Sequence, residues 1–292
     1  MGNDRSSQVV PPGYRMVPRD LVILRDLWLF RYLTAAQVSR LHVGHLKIAQ
    51  RRLRKLATLA LVTRFRLPST GPLGDQRFIY CLSRSGARHV AAAEGLATKD
   101  LLVPFHVPRA PGYLAHHEAL TDARIWIREA CEAQGFAYRF VPAYEEVRQN
   151  GHQRRRVALQ VGAAQFIPDG VFAIDHPSGS SALFVLEIDR GTEPLHRAAG
   201  SSVHGKLVLF REAFDAGLTA YAELFDHAFK GARLLWVVPD EKRRAAVLDL
   251  ATREDLSTLV WVIVSEEMAG RGSLSAPVWT VSGREGLHAL DE

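Results

Sequence analysis

Apolar positions along the first hundred residues follow a helical period and then a strand period. Leu21 to Leu33 carries apolar side chains at helical spacing, and Pro18 just ahead suits a first helical turn. Thr34-Ala35-Ala36-Gln37 has the form of a capping box, in which hydroxyl and amide side chains satisfy free backbone groups, and it predicts a short helix over Ala35 to Leu41. Leu46 to Ala60 predicts a third helix. On a helical wheel Ala49, Leu53, Leu56 and Ala60 fall on one side, and Lys47, Arg51, Arg54 and Lys55 gather on the other. One face can pack and the other can meet phosphate. Leu61 to Arg66 and Arg77 to Leu82 read as strands around the loop Pro68 to Gly74, and Ser83 to Glu94 reads as a closing helix.

Val103 to Gly112 holds three prolines and a glycine, which marks a boundary. Beyond it the pattern predicts a long helix over Leu114 to Gln134, a strand over Phe136 to Pro142 and a loop or sheet edge over Glu145 to Arg156. Phe172 to Ile174 and Ala182 to Asp189 are apolar runs separated by turn formers, which predicts an antiparallel hairpin. Helix Val203 to Phe214, a helical stretch around Tyr221 to Ala228, strand Arg233 to Val238, helix Glu241 to Arg253 and strand Leu259 to Val264 complete an α/β order. The expected division is residues 15–100, a linker at 101–112, a second domain at 113–268 and a tail at 269–292.

Charge separates the two parts further. Residues 1–100 hold 17 Lys and Arg against 6 Asp and Glu, whereas the remaining 192 residues hold 20 against 25. A basic module joined to a mildly acidic one points to docking on a polyanion, nucleic acid above all, by the first. Apolar content of 47% with 23% charge is ordinary for a globular chain. The longest aliphatic runs are strand-length, far below the ~20 residues that span a bilayer, so no membrane segment is expected. A polar, Pro-rich start and only two cysteines, Cys81 and Cys131, fit a cytoplasmic protein.

The acidic residues of the predicted hairpin are its chemistry. If the hairpin is symmetric about Ser178, Asp169 of Ile167-Pro168-Asp169-Gly170 lies opposite Glu187. Alternation along the strand puts Glu187 and Asp189 on one face, with Leu186 and Ile188 pointing the other way into the core. Paired positions lie about 4.5–5.5 Å apart at Cβ, close enough for Asp169 and Glu187 to share one Mg²⁺, a cation that takes oxygen ligands. The bland alternative is an Asp in a turn and two acids on the solvent face of an edge strand.

Three helices and a hairpin resemble the winged helix-turn-helix domains of DNA-binding proteins. The resemblance implies Leu46 to Ala60 as recognition helix, Pro68 to Gly74 as wing tip, and contact with double-stranded DNA through Lys47, Arg51, Arg54, Lys55, Arg64 and Arg66. The second half, with Pro-Asp on one strand and Glu-x-Asp on the next, resembles the PD-(D/E)XK restriction-endonuclease-like fold with its central mixed sheet. That likeness implies Mg²⁺ (or Mn²⁺) held by Asp169 and Glu187. The family's lysine position is Asp189 here; Asp189 would orient water, and Lys206 on the following helix is the natural substitute, ahead of Arg190. Over residues 15–265 the combination, with Glu187-Ile188-Asp189-Arg190-Gly191-Thr192-Glu193 and Lys206, resembles the replication-relaxation family of plasmid and mobile-element proteins, and plasmid mobilisation relaxases are similarly built. Implied partners are DNA, a second copy reading a palindrome, and plasmid replication or mobilisation proteins.

Other motifs are weaker. His116 and His117 are helix neighbours that do not share a face, and Glu118 beside them is a candidate to reach the acidic site. His42-Val43-Gly44-His45 sits in a turn without a supporting strand. Arg154-Arg155-Arg156 reads equally as a solvated loop or a grip on a backbone, and Lys242-Arg243-Arg244 as a solvated helix start. No Gly-rich phosphate loop, paired-Cys motif or serine nucleophile elbow occurs. Two main readings stay open: a metal-dependent nickase, and a non-catalytic DNA-binding factor whose nuclease-like domain serves for dimerisation or docking. A protein-binding adaptor is the weaker third.

Overall fold

The computed structural model describes residues 16–67, 77–98, 101, 110–149, 152–196, 202–270 and 272–291. It divides into two compact units, residues 1–122 and 123–292, each taken by itself below.

The first unit opens with α1 (Pro18–Leu29), β1 (Leu33–Thr34) and α2 (Ala35–Val38), followed by a π-turn at Ser39–Val43 and α3 (Leu46–Thr58). The expected capping box is present: Gln37 N–H donates to Thr34 Oγ1 at 3.3 Å, and Thr34 N–H donates to Gln37 Oε1 at 2.8 Å. β2 (Val62–Arg66) and β3 (Phe78–Leu82) pair antiparallel, and β1 adds to the other side of β3 in the order β1-β3-β2. α4 (Arg84–Glu94) is capped by Ser83, whose hydroxyl accepts from Gly86 N–H. Ala49, Leu53 and Leu56 of α3 are fully buried, as the wheel predicts. Two buried carboxylates tie the helices together: Asp20 pairs with Arg52 at 2.9 Å and Asp26 with His42 at 2.6 Å. Three helical segments thus precede the β2–β3 hairpin, and α4 follows it. The expected wing tip Pro68 to Gly74 and most of the expected linker lie outside the described residues.

The unit boundary falls inside α5 (Pro111–Gln134) rather than at residues 101–112. The second unit continues with β4 (Ala137–Pro142), the hairpin β5 (Glu146–Gln149) and β6 (His152–Arg155), and the hairpin β7 (Leu159–Val161) and β8 (Ala164–Phe166). β9 (Gly170–Asp175), β10 (Ser181–Ile188), α6 (Val203–Asp215), α7 (Thr219–Phe225), β11 (Ala232–Val238), α8 (Glu241–Arg253), β12 (Val260–Val264), β13 (Trp279–Val281) and β14 (Leu287–His288) follow. A seven-stranded mixed sheet runs β14-β13-β12-β11-β10-β9-β4, with β10, β11 and β12 mutually parallel. The fold is therefore mixed α/β with a central mixed sheet.

Both faces of this sheet are covered. Leu183 and Val185 of β10 pack with Trp236 of β11 and with Leu207, Phe210, Tyr221 and Val247 of α6, α7 and α8. On the other face Phe140, Phe172 and Phe184 stack across three strands, and α5 covers that side through Arg124 over Phe140 and Trp126 edge-on to Trp279. Two expectations are corrected here. Residues 269–292 are no tail, because β13 and β14 extend the sheet and Trp279 is fully buried. Nor is there one core-facing and one open face on β10. A strand flanked by two others and covered above and below buries Glu187 as deeply as Leu186.

Candidate functional site

The hairpin register is the symmetric one. Asp175 pairs with Ser181 and Gly170 with Leu186, so extension by one residue sets Asp169 opposite Glu187. Gly170 occupies the one position where a side chain would be intolerable, since a Cβ there would lie 2.2 Å from the Phe140 ring. This close approach lets β9 start immediately after Asp169, whose Oδ2 accepts from Ile188 N–H at 2.8 Å. The carboxylate is thus fixed beside Glu187 by the backbone it pairs with.

α6 supplies the cation. Ser202 caps it by accepting from Gly205 N–H at 3.0 Å, and one turn in, Lys206 Nζ donates to Glu187 Oε2 at 2.8 Å and to Glu193 Oε1 at 2.9 Å. Lys206, 19 residues after Glu187, thus lies within hydrogen-bond reach of it. Glu193, which the sequence reading quoted only as part of the motif, is the residue it missed as a partner of that lysine. A Glu six residues beyond Glu187 carries no periodic signal, because the intervening chain is a loop.

Asp189 departs from its expected role. Its Oδ1 accepts from Gly191 N–H at 2.7 Å and its Oδ2 takes the Arg243 guanidinium, which also donates to the Glu193 carbonyl at 2.6 Å. A carboxylate with both oxygens so engaged is not placed to orient a water. Arg243, expected on a solvated helix start, instead turns inward from the first turn of α8, its side chain 12% exposed. Arg244 pairs with Glu241 and Glu267. The loop that carries Asp189 and Glu193 and the first turn of α8 that carries Arg243 lie at the carboxyl ends of parallel strands β10 and β11, where open α/β sheets place their ligands.

The electrostatics of the cluster are set by burial. Three carboxylates, Asp169, Glu187 and Glu193, surround one ammonium and leave a surplus of negative charge. Burial pushes the Glu187 carboxyl up, Lys206 pulls it down, and Asp169 and Glu193 push it up again, to about 8. Burial works against the Lys206 charge, but the attraction of Glu187, Asp169 and Glu193 outweighs it and holds the ammonium protonated. Tyr221, whose hydroxyl donates to the Val157 carbonyl at 2.9 Å, is raised by burial and then by the charge of Glu187. Among the described residues Glu187 Oε1 is buried without a hydrogen-bond partner, and so is Nε1 of Trp236, the residue paired with Glu187 on β11.

Asp169 and Glu187 are the residues that could hold a divalent cation here. Among the described residues no three His, Cys, Asp or Glu are grouped so as to hold a metal ion. Mg²⁺ binds through one or two carboxylates, keeping water and taking phosphate oxygens, and the orphaned Glu187 oxygen beside Asp169 matches that need.

In the first unit the predicted basic set is on the surface. Lys47, Arg51, Arg54 and Lys55 of α3 and Arg64 and Arg66 of β2 are all exposed. Arg64 lies over the Phe78 ring at 4.8 Å. Arg54 and Arg64 line a groove of about 410 Å³ with Leu46, Gln50 and Thr34. The remaining candidates have structural partners: His117 meets the Phe30 carbonyl at 2.7 Å, Glu118 is engaged by Arg77, and His42 by Asp26. Arg155 and Arg156 are exposed, Arg156 pairing with Glu145, in a hairpin rather than a loop.

A family model described as replication-relaxation matches residues 24–206, from within α1 to Lys206. No curated protein and no solved structure gives a match.

Proposed function

From a chain that belongs to the replication-relaxation family, we propose a DNA-binding protein of plasmid or mobile-element replication that nicks or relaxes duplex DNA by metal-dependent phosphodiester hydrolysis. The observation that carries this reading is Lys206 reaching Glu187 from α6, which restores in space the acid-and-lysine set that Asp189 interrupts in the sequence. Asp169 and Glu187 would hold Mg²⁺ or Mn²⁺. When bound, the metal neutralises and polarises the phosphate and lowers the pKa of a bound water. Lys206, kept protonated by its carboxylates, acts as a fixed positive charge towards the developing phosphorane rather than as a base. The six basic residues of α3 and β2 supply phosphate contacts, and with them strong salt dependence. No helix among the described residues is long and apolar enough to cross a membrane.

Conversion of supercoiled plasmid to open circle with Mg²⁺ or Mn²⁺ tests the proposal, comparing wild type with Asp169→Ala, Glu187→Ala and Lys206→Ala. Each variant is expected to lose at least about a hundredfold in rate, the weight of one electrostatic group at a reacting centre, while still binding the same DNA. A second reading rests on the Glu187 side chain being 1% exposed and already engaged by Lys206. It is a non-catalytic DNA-binding factor, and tight salt-dependent binding without nicking under either metal would select it.

A further inference from the structure

Lys206 comes to the site on a long stem from a neighbouring helix, and something must hold it there when Glu187 turns to another ligand. We propose that Glu193 is the positioning residue of Lys206, and that Asp189 and Arg243 form the clamp that brings Glu193 back to it. This deepens the nickase reading by giving Asp189 a defined role in place of water orientation, and it rests on that reading only for its catalytic consequence.

The geometry is a closed circuit. Asp189 leaves β10 with its backbone N–H bonded to the Val237 carbonyl at 2.9 Å. Its side chain then accepts from Gly191 N–H, which bends the chain at a glycine with φ of +73°. Arg243 grips Asp189 with Nε and the Glu193 carbonyl with Nη2. A planar guanidinium fork can hold two acceptors in fixed relation, which a lysine could not. Beyond Glu193, Val203 N–H and His204 N–H bond the carbonyls of Pro194 and Leu195 at 3.1 Å each, stitching the loop to the first turn of α6. The Glu193 side chain is thereby delivered to Lys206 Nζ from a loop pinned on both sides.

The chemical need follows from the ammonium's two bonds. A lysine side chain gives up much rotamer freedom when it is fixed. If Glu187 were its only partner, engagement of Glu187 by a cation or phosphate would release it. With Glu193 as a second anchor, Lys206 keeps its place while Glu187 changes partner. Glu193 Oε2 is buried without a partner among the described residues, and Oε1 is the oxygen that meets Lys206.

The test is the rate at which an amine-reactive acylating reagent modifies Lys206, followed by peptide mass spectrometry on the full chain without metal. Wild type, Glu193→Gln, Glu193→Asp and Arg243→Lys are compared, with far-ultraviolet circular dichroism to establish that each is folded. Lys206 is expected to be acylated about tenfold faster in Glu193→Gln, the scale of one charge-assisted hydrogen bond. Arg243→Lys should move the same way, because it keeps the charge but loses the fork, while Glu193→Asp should fall between wild type and Glu193→Gln. Labelling unchanged in Glu193→Gln, or raised equally at exposed Lys47, would overturn the proposal. The nicking assay with the same variants separates the two claims. A wild type that does not nick removes the enzymatic reading, and the labelling result decides the positioning role independently.

Discussion

Glu187 is a carboxylate in the middle of a seven-stranded sheet, 1% exposed, with Asp169, Glu193, Lys206 and Tyr221 as its electrostatic neighbours. An acid buried among other acids titrates high, and linkage converts that into a stability profile. With a folded pKa of about 8, above an unfolded value near ~4.3, the native state holds a proton that the unfolded chain has lost. The contribution is complete below the unfolded value and is lost as pH rises through about 8. In metal-free buffer, the melting temperature should therefore fall between about pH 5 and 8. Glu187→Gln, which cannot ionise, should flatten this window and be the more stable protein above pH 8. Parallel melting curves at closely spaced pH check it, and coincident profiles for the two proteins would remove Glu187 as the titrating group.

At the scale of elements, the β9–β10 hairpin is set by its turn and by one glycine. Symmetry about Ser178 was readable because turn formers fill positions 175–181 and β-branched and aromatic residues flank them. Gly170 has a reason that the sequence does not display: Phe140 of β4, wedged between Phe172 and the Arg124 guanidinium, occupies the space of its Cβ. Gly170→Ala should cost about 1–3 kcal/mol, the usual penalty of overpacking. Because Asp169 is the adjacent residue, it should also weaken the Mg²⁺ protection against thermal unfolding that the proposed metal site implies. A variant with wild-type stability in urea titration would show that Phe140 moves aside freely. The capping box at Thr34 and the apolar face of α3 were equally legible, since both are local patterns in which spacing alone fixes the contact.

For the whole molecule, the strands at 279–281 and 287–288 change what belongs to the second unit. Leu274, Trp279 and Leu290 are buried, and Trp279 meets Trp126 of α5. Removal of residues 269–292 should therefore strip two strands and expose β12, whereas a true tail could be removed without effect. Trp279→Ala in the full chain should cost about 3–5 kcal/mol, and a truncated chain melting like the intact one would refute the assignment. The charge division between the two parts has its own test in the first unit. Replacing Lys47, Arg51 and Lys55 with alanine should weaken DNA binding and lower the slope of log affinity against log salt by about 0.9 per lost phosphate contact. Unchanged slopes would place the DNA contacts elsewhere.

By itself the sequence determined the alternation and helical faces of the main elements, the register of the acidic hairpin, the basic face of α3 and the family. All of these depend on neighbours in the chain, on side-chain period or on composition. It left the hairpins at 146–155 and 159–166 and the strands after residue 278 unread, because these are short segments whose pairing is fixed by partners and not by strong patterns of their own. Tertiary structure alone decided the partners of the charged side chains. Arg243 lies 54 residues from Asp189 and Lys206 lies 13 from Glu193, and only the packing of α6 and α8 against the parallel strands brings them together. Burial did the rest, since an exposed Glu187 would remain an ordinary carboxylate, while one enclosed by a sheet and three helices must take an ammonium, a proton or a cation.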